Sequence, residues 1–121
     1  MILQYQKNDY GCFQACISTI TGTRMSRIPD FYATGEGGFH TLLREWNISN
    51  KKYFIMDIPY CVGVTSKMLR EIPIIVTGTS PRDNSMLHSV IYKNWKLLHD
   101  PYKPDQSGVV DPSIITLVLN K

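Results

Sequence analysis

Apolar residues change their spacing half-way along this chain. Up to about residue 50 they recur at helical intervals; beyond it they come in short runs broken by turn residues. The first pattern paints one face of a helix and the second fits strands. Helices first and strands afterwards point to an α+β fold, with N-terminal helices packed on an antiparallel β-sheet.

Phe13, Cys16, Ile17 and Ile20 make one apolar face over residues 12–20, and Gly22 is placed to stop that helix. A short helical piece is expected over 25–32, started or broken by Pro29. Gly35-Glu36-Gly37-Gly38 reads as a flexible break. Phe39, Leu42, Leu43 and Trp46 then form a second face that Asn47 is placed to end. Residues 52–58 read as a strand, and 66–71 as a helix capped by Thr65 or Ser66. Residues 73–77 read as a buried strand, 87–92 and 95–99 as a hairpin about Lys93-Asn94, and 114–119 as the last strand. The loop before that strand holds Pro101, Pro104, Gly108 and Pro112.

A length of 121 residues fits a single domain, 1–121. Lys and Arg total 13 against 10 acids, a net charge of +3, and the longest basic run is Lys51-Lys52. That balance is too mild for a nucleic-acid partner. The N-terminus lacks the basic and apolar segments of a signal peptide, and no run reaches the ~18 apolar residues of a membrane span. A cytoplasmic chain with reduced thiols and no membrane partner is expected. The odd count of three cysteines, Cys12, Cys16 and Cys61, argues against a disulfide framework.

Cys12 follows Gly11 and opens the first helix. Free N–H groups and the dipole at a helix N-terminus stabilise a thiolate, so Cys12 is the candidate nucleophile. Cys16 lies one turn deeper and reads as inert packing. The commoner fate of such cysteines is burial without chemistry. Zinc would need His40, Cys61, His88 or His99 beside the Cys12–Cys16 pair, a spacing unlike structural zinc sites, so no metal or other cofactor is expected.

A thiol nucleophile needs a base, usually histidine, oriented by a third side chain. His88 begins an apolar strand and Asp100 ends the next. His40 sits within a helical apolar face and His99 at a strand end, both weaker candidates. Both His88 and Asp100 are even-numbered, so they share a face only if the hairpin pairs even residues with even ones. A three-residue loop over 92–94, with Asn94 left-handed, sets Asp100 diagonal to His88. A loop over 93–95 sets them opposite but forces Trp95 into the left-handed region. A two-residue turn at Lys93-Asn94 sends Asp100 to the other face. Acyl transfer also needs an oxyanion donor. Gln6, six residues before Cys12, and the Cys12 amide are the candidates, with Gln4 and Gln14 as competitors.

Together these residues resemble the papain-like cysteine peptidase superfamily, and within it the bacteriocin-leader-processing peptidases. Those open with Gln, five residues, then the Cys of a Cys-Gly-x-Ala helix start; here stand Gln6 and Cys12-Phe13-Gln14-Ala15-Cys16. Their later His begins an apolar strand and an Asp-Pro ends the next, as do His88-Ser89-Val90-Ile91-Tyr92 and Asp100-Pro101. The chain is also similar to small phage proteins with Cys-Phe-x-Ala-Cys, Ser-Pro-Arg and His-Asp-Pro segments, matched here by Ser80-Pro81-Arg82 and His99-Asp100-Pro101. The likeness spans 4–22 and 73–102. It implies a papain-like domain with Cys12 as nucleophile, His88 as base, Asp100 as its orienter and Gln6 as oxyanion donor.

Phe13 replaces the family's Gly, so its bulk is expected to narrow the pocket. That favours a narrow substrate, such as an isopeptide, thioester or small amide, over broad proteolysis. Arg82 is a candidate anion clamp on the polar loop before His88, with Ser80 and Tyr10 as further candidate substrate contacts. The phage likeness implies a host protein as partner. The competing reading is a binding module that keeps the fold without the chemistry and sequesters a peptide, host factor or small signalling molecule.

Overall fold

The structure is a computed structural model that describes residues 1–8, 11–32 and 35–121, with the backbone alone for 35–37. Its order is α1 (Cys12–Thr21), a 3₁₀ turn (Met25–Arg27), α2 (Gly35–Ser49), β1 (Tyr53–Pro59), α3 (Tyr60–Gly63), a second 3₁₀ turn (Met68–Arg70), β2 (Ile74–Thr79), β3 (Leu87–Lys93), β4 (Lys96–His99) and β5 (Val110–Asn120). The five strands form one antiparallel sheet in the order β1-β5-β2-β3-β4. The α+β layout read from the sequence holds.

The sheet separates two apolar clusters. Phe13, Cys16 and Ile17 of α1 and Phe39 and Trp46 of α2 pack with Ile55, Ile75 and Ile91. Leu69 packs with Ile74, Val76, Val90, Ile115 and Leu117. Neighbouring residues of β2 thus serve opposite faces, as the pleat requires. Both faces of β2 are covered, so its first half, Ile74-Ile75-Val76, is apolar without alternation. Gly22 stops α1 at φ 72°, its N–H bonded to the Ser18 carbonyl.

Several expectations are corrected. The glycine-rich 35–38 segment is the start of α2, not a break. The helix penalty of ~1 kcal/mol for each interior glycine, Gly37 and Gly38, is outweighed by the burial of Phe39 and Trp46. Asn47 does not end α2. Its side chain bonds both the N–H and the carbonyl of Ile55 (2.7 and 2.9 Å), closing the free edge of β1 as a neighbouring strand would. The 66–71 helix shrinks to the 3₁₀ turn Met68–Arg70, the 25–32 helix shrinks to Met25–Arg27, and the four-residue α3 falls where none was expected. The last strand begins early, at Val110, and includes Pro112 beside a register shift between Thr77 and Thr79. Proline tolerates that place because the ladder is already interrupted. Gly78 permits it: a Cβ there would lie 2.8 Å from the Val110 carbonyl oxygen.

The β3–β4 turn is none of the three expected ones. Lys93 pairs with Lys96, so the turn is the two residues Asn94 and Trp95, both left-handed at φ 53° and 58°. This is the type I′ geometry that suits the twist of a hairpin. Trp95 offsets its unfavourable φ by packing edge-on to Tyr60, 6.1 Å between centroids.

Candidate active site

An even-length turn should separate His88 from Asp100, yet the two side chains meet. The register runs Lys93↔Lys96 and Tyr92↔Leu97, then jumps to Ile91↔His99. Leu98 is the extra residue of a β-bulge. Past it, even residues face even ones again. His88 Nε2 and Asp100 Oδ1 lie 2.8 Å apart, with His88 2 % exposed and Asp100 0 %. His88 stands opposite Gly78 on β2, a residue without a side chain.

Asp100 is fully engaged. Its Oδ1 also accepts the Tyr102 N–H (2.9 Å), and its Oδ2 accepts the Gly108 N–H (2.9 Å). Burial alone would raise its pKa. The His88 hydrogen bond, the two backbone N–H groups and the imidazole charge outweigh burial and hold the carboxyl below its usual value. Burial alone would likewise depress His88. The hydrogen bonds to Asp100 and Cys12, with the charge on both, raise the imidazole to about 9. With Nε2 taken by Asp100, Nδ1 is the ring nitrogen left for the thiol.

Cys12 is the first residue of α1, and the first helical bond runs from the Ala15 N–H to the Gly11 carbonyl. Gly11 supplies no capping side chain, so the first-turn N–H groups are not claimed by one. Cys12 is 6 % exposed and lines a cavity of about 270 Å³ with Tyr32, Thr77, Met86, Leu87 and Ser89. The Thr77 and Ser89 hydroxyls on its wall are 2.7 Å apart. Cys16 behaves as expected of a packing residue: burial pushes its thiol pKa well up, and its Sγ lies 3.5 Å from the Ser89 carbonyl.

Gln6 reaches the site on a docked N-terminal segment. The Gln4 N–H donates to Thr19 on α1, His99 Nε2 donates to the Gln4 carbonyl, and the Gln6 N–H donates to the Pro101 carbonyl. His99 is thereby a structural residue, edge-on to Tyr5 at 5.0 Å. The Gln6 carboxamide Nε2 donates to the Asn8 carbonyl at 2.9 Å, while its Oε1 is buried without a partner. Gln6 lines a second cavity, about 220 Å³, with His88, Ser80, Arg82 and Tyr102. Met86 and Leu87 border both cavities. Gln14, the competing donor, is spent on the Met25 and Ile28 carbonyls.

Arg82 lies at that second cavity, stacked 3.8 Å over the Tyr102 ring and 3.8 Å from Asp105. Ser80 closes its loop through an N–H bond to the Met86 carbonyl and accepts the Arg82 N–H. Phe13 does not narrow the pocket. It is 1 % exposed, packed edge-on against Phe31, Tyr32 and Phe39, because it points from α1 into the core. Tyr32, in contact with it, is the aromatic that reaches the cavity; burial, the Asp57 charge and the two α1 thiols push its phenol pKa up. Sequence spacing offered no signal for Tyr32, which comes from an irregular segment. Tyr10 lies outside the described residues.

Among the described residues no group of three or more His, Cys, Asp or Glu side chains is arranged to hold a metal ion. Among them no helix is long and apolar enough to cross a membrane. Comparison with family models, with curated proteins and with solved structures gave no match.

Proposed function

We propose that this protein is a papain-like thiol hydrolase acting on an acyl bond through an acyl-enzyme on Cys12. The observation that supports this best is the buried His88–Asp100 pair beside a thiol at a helix N-terminus. An imidazole raised to about 9 is cationic at neutral pH and holds the proton that a leaving amine needs.

In the proposed reaction the Cys12 thiolate attacks the substrate carbonyl. The resulting oxyanion is met by the Cys12 N–H and by the Gln6 Nε2 proton not given to Asn8. His88 delivers its proton to the leaving amine as the C–N bond breaks, leaving a thioester. Water then attacks the thioester and gives its proton to His88; the acid leaves and the ion pair is restored. Peptides, isopeptides and small amides are the proposed substrates, and the phage likeness puts a host protein among them.

A binding-module reading is favoured by one observation: Cys12 is 6 % exposed and the Gln6 amide is turned to Asn8, so the site is closed as it stands. Iodoacetamide labelling at neutral pH, read by intact mass and peptide mapping, separates the two. The hydrolase reading expects Cys12 to react faster than the exposed Cys61, and Cys12→Ala to leave labelling at Cys61 alone. Cys12 reacting no faster than Cys61 would sink the reading.

A further inference from the structure

The Cys12 cavity adjoins a larger groove of different chemistry. The groove holds about 600 Å³, within the ~300–1,000 Å³ of ligand pockets. Tyr32 and Leu87 line both spaces, so the two are neighbours with these side chains between them. Its walls are largely apolar, from Phe39 of α2, Ile58 of β1 and Ile114 of β5, and the Tyr32 ring stacks on Phe39 at 4.9 Å.

One carboxylate, Asp57, and one imidazole, His40, interrupt that lining. Among the described residues at the groove, Asp57 is the sole acid. It sits opposite Thr116 in the β1–β5 ladder, and the Thr116 hydroxyl donates to its Oδ1 at 2.6 Å. Among the described residues no lysine or arginine pairs with it. Burial raises its pKa, against the opposing pull of Thr116 and His40. A half-buried acid is unfavourable until an opposite charge meets it. An apolar slot with one acid fits a side chain that has an apolar stem and a cationic head.

We infer that this groove is the specificity pocket for a lysine or arginine side chain of a peptide substrate, its stem on Phe39, Ile58 and Ile114 and its head on Asp57. The inference rests on the acyl-transfer reading of Cys12. The residue carrying the attacked carbonyl occupies the smaller cavity by Thr77 and Ser89, and the residue before it passes Tyr32 into the groove.

Acetyl-X-glycine chloromethyl ketones test this, with X as lysine, norleucine, alanine or glutamate. The Cys12 sulfur displaces chloride: an S–C bond forms as the C–Cl bond breaks. Each rate is divided by the same protein's iodoacetamide rate, so recognition is read apart from thiol reactivity. Norleucine has the lysine stem without its charge. Lysine should exceed norleucine, and norleucine alanine, by about tenfold each, with glutamate slowest. Asp57→Asn should bring the lysine-to-norleucine ratio close to one. Ser113→Trp, at the exposed rim, should slow both stems and supplies the answer should Asp57→Asn fail to fold. Equal lysine and glutamate rates at a fast-reacting Cys12 overturn the inference and leave the hydrolase reading standing. A Cys12 no more reactive to iodoacetamide than Cys61 removes both.

Discussion

His88 Nε2 stands 2.8 Å from Asp100 Oδ1 because Leu98 is left out of the β3–β4 ladder. The Asn94-Trp95 turn by itself would place Asp100 on the far face, since a one-residue slip inverts a strand. Deleting Leu98 should restore an even ladder and part the pair. The His88 ring, followed by NMR titration, should then fall from about 9 towards the ordinary histidine value of 6.5. A deletion variant whose His88 still titrates near 9 would show that the bulge is dispensable.

The raised His88 pKa fixes the sign of a stability–pH dependence. The folded protein holds the imidazole proton more tightly than the unfolded chain does. The stabilisation is therefore complete below pH 6.5 and lost as the pH climbs through about 9. Melting temperature should decline across that window in the parent protein, and His88→Gln should flatten the decline. Parallel curves for the two proteins would assign the dependence to another group.

These two predictions mark where the sequence was legible. Helical spacing placed α1, apolar runs placed the strands, and the helix start with its strand His and Asp pointed to Cys12, His88 and Asp100. The bulge was not legible, because Leu97 and Leu98 are alike and only the three-dimensional register tells which one is extra. The start of α2 was missed because local glycine propensity is weak beside tertiary packing. Phe13 was misplaced because adjacency to Cys12 along a helix means a turn of about 100° around its axis. Tyr32 and Asp57 come to the site from segments whose proximity only the folded sheet creates.

Asp100→Ala should be severely destabilising. It would leave the His88 imidazole and the N–H groups of Tyr102 and Gly108 without their acceptor in a buried place. The expected loss is about 3–5 kcal/mol by denaturant unfolding. A loss below about 1 kcal/mol, the level of an ordinary net hydrogen bond, would mean that water replaces the carboxylate there.

His99→Phe should loosen the N-terminal segment while keeping the ring stack on Tyr5. Losing the bond to the Gln4 carbonyl should cost about 1 kcal/mol. The Gln4 and Gln6 amides, both bonded in the parent, should exchange hydrogen faster. Unchanged exchange at both would assign the docking to Thr19 and Pro101 alone.

Asp100 also bears on how such a site decays. The chain around it is wound onto this residue: Tyr102 and Gly108 donate to its carboxylate, and Gln106 donates to its carbonyl. Selection for a folded protein alone would preserve it, whatever happened to the chemistry. Among descendants that had given up catalysis, Asp100 would persist as a fossil, and so would His88 as its buried counter-ion. Among the described residues the Gln6 carboxamide holds a single bond, to the Asn8 carbonyl, and Cys12 fills a place that another small apolar side chain can fill, so these are the positions where loss of activity would be written first.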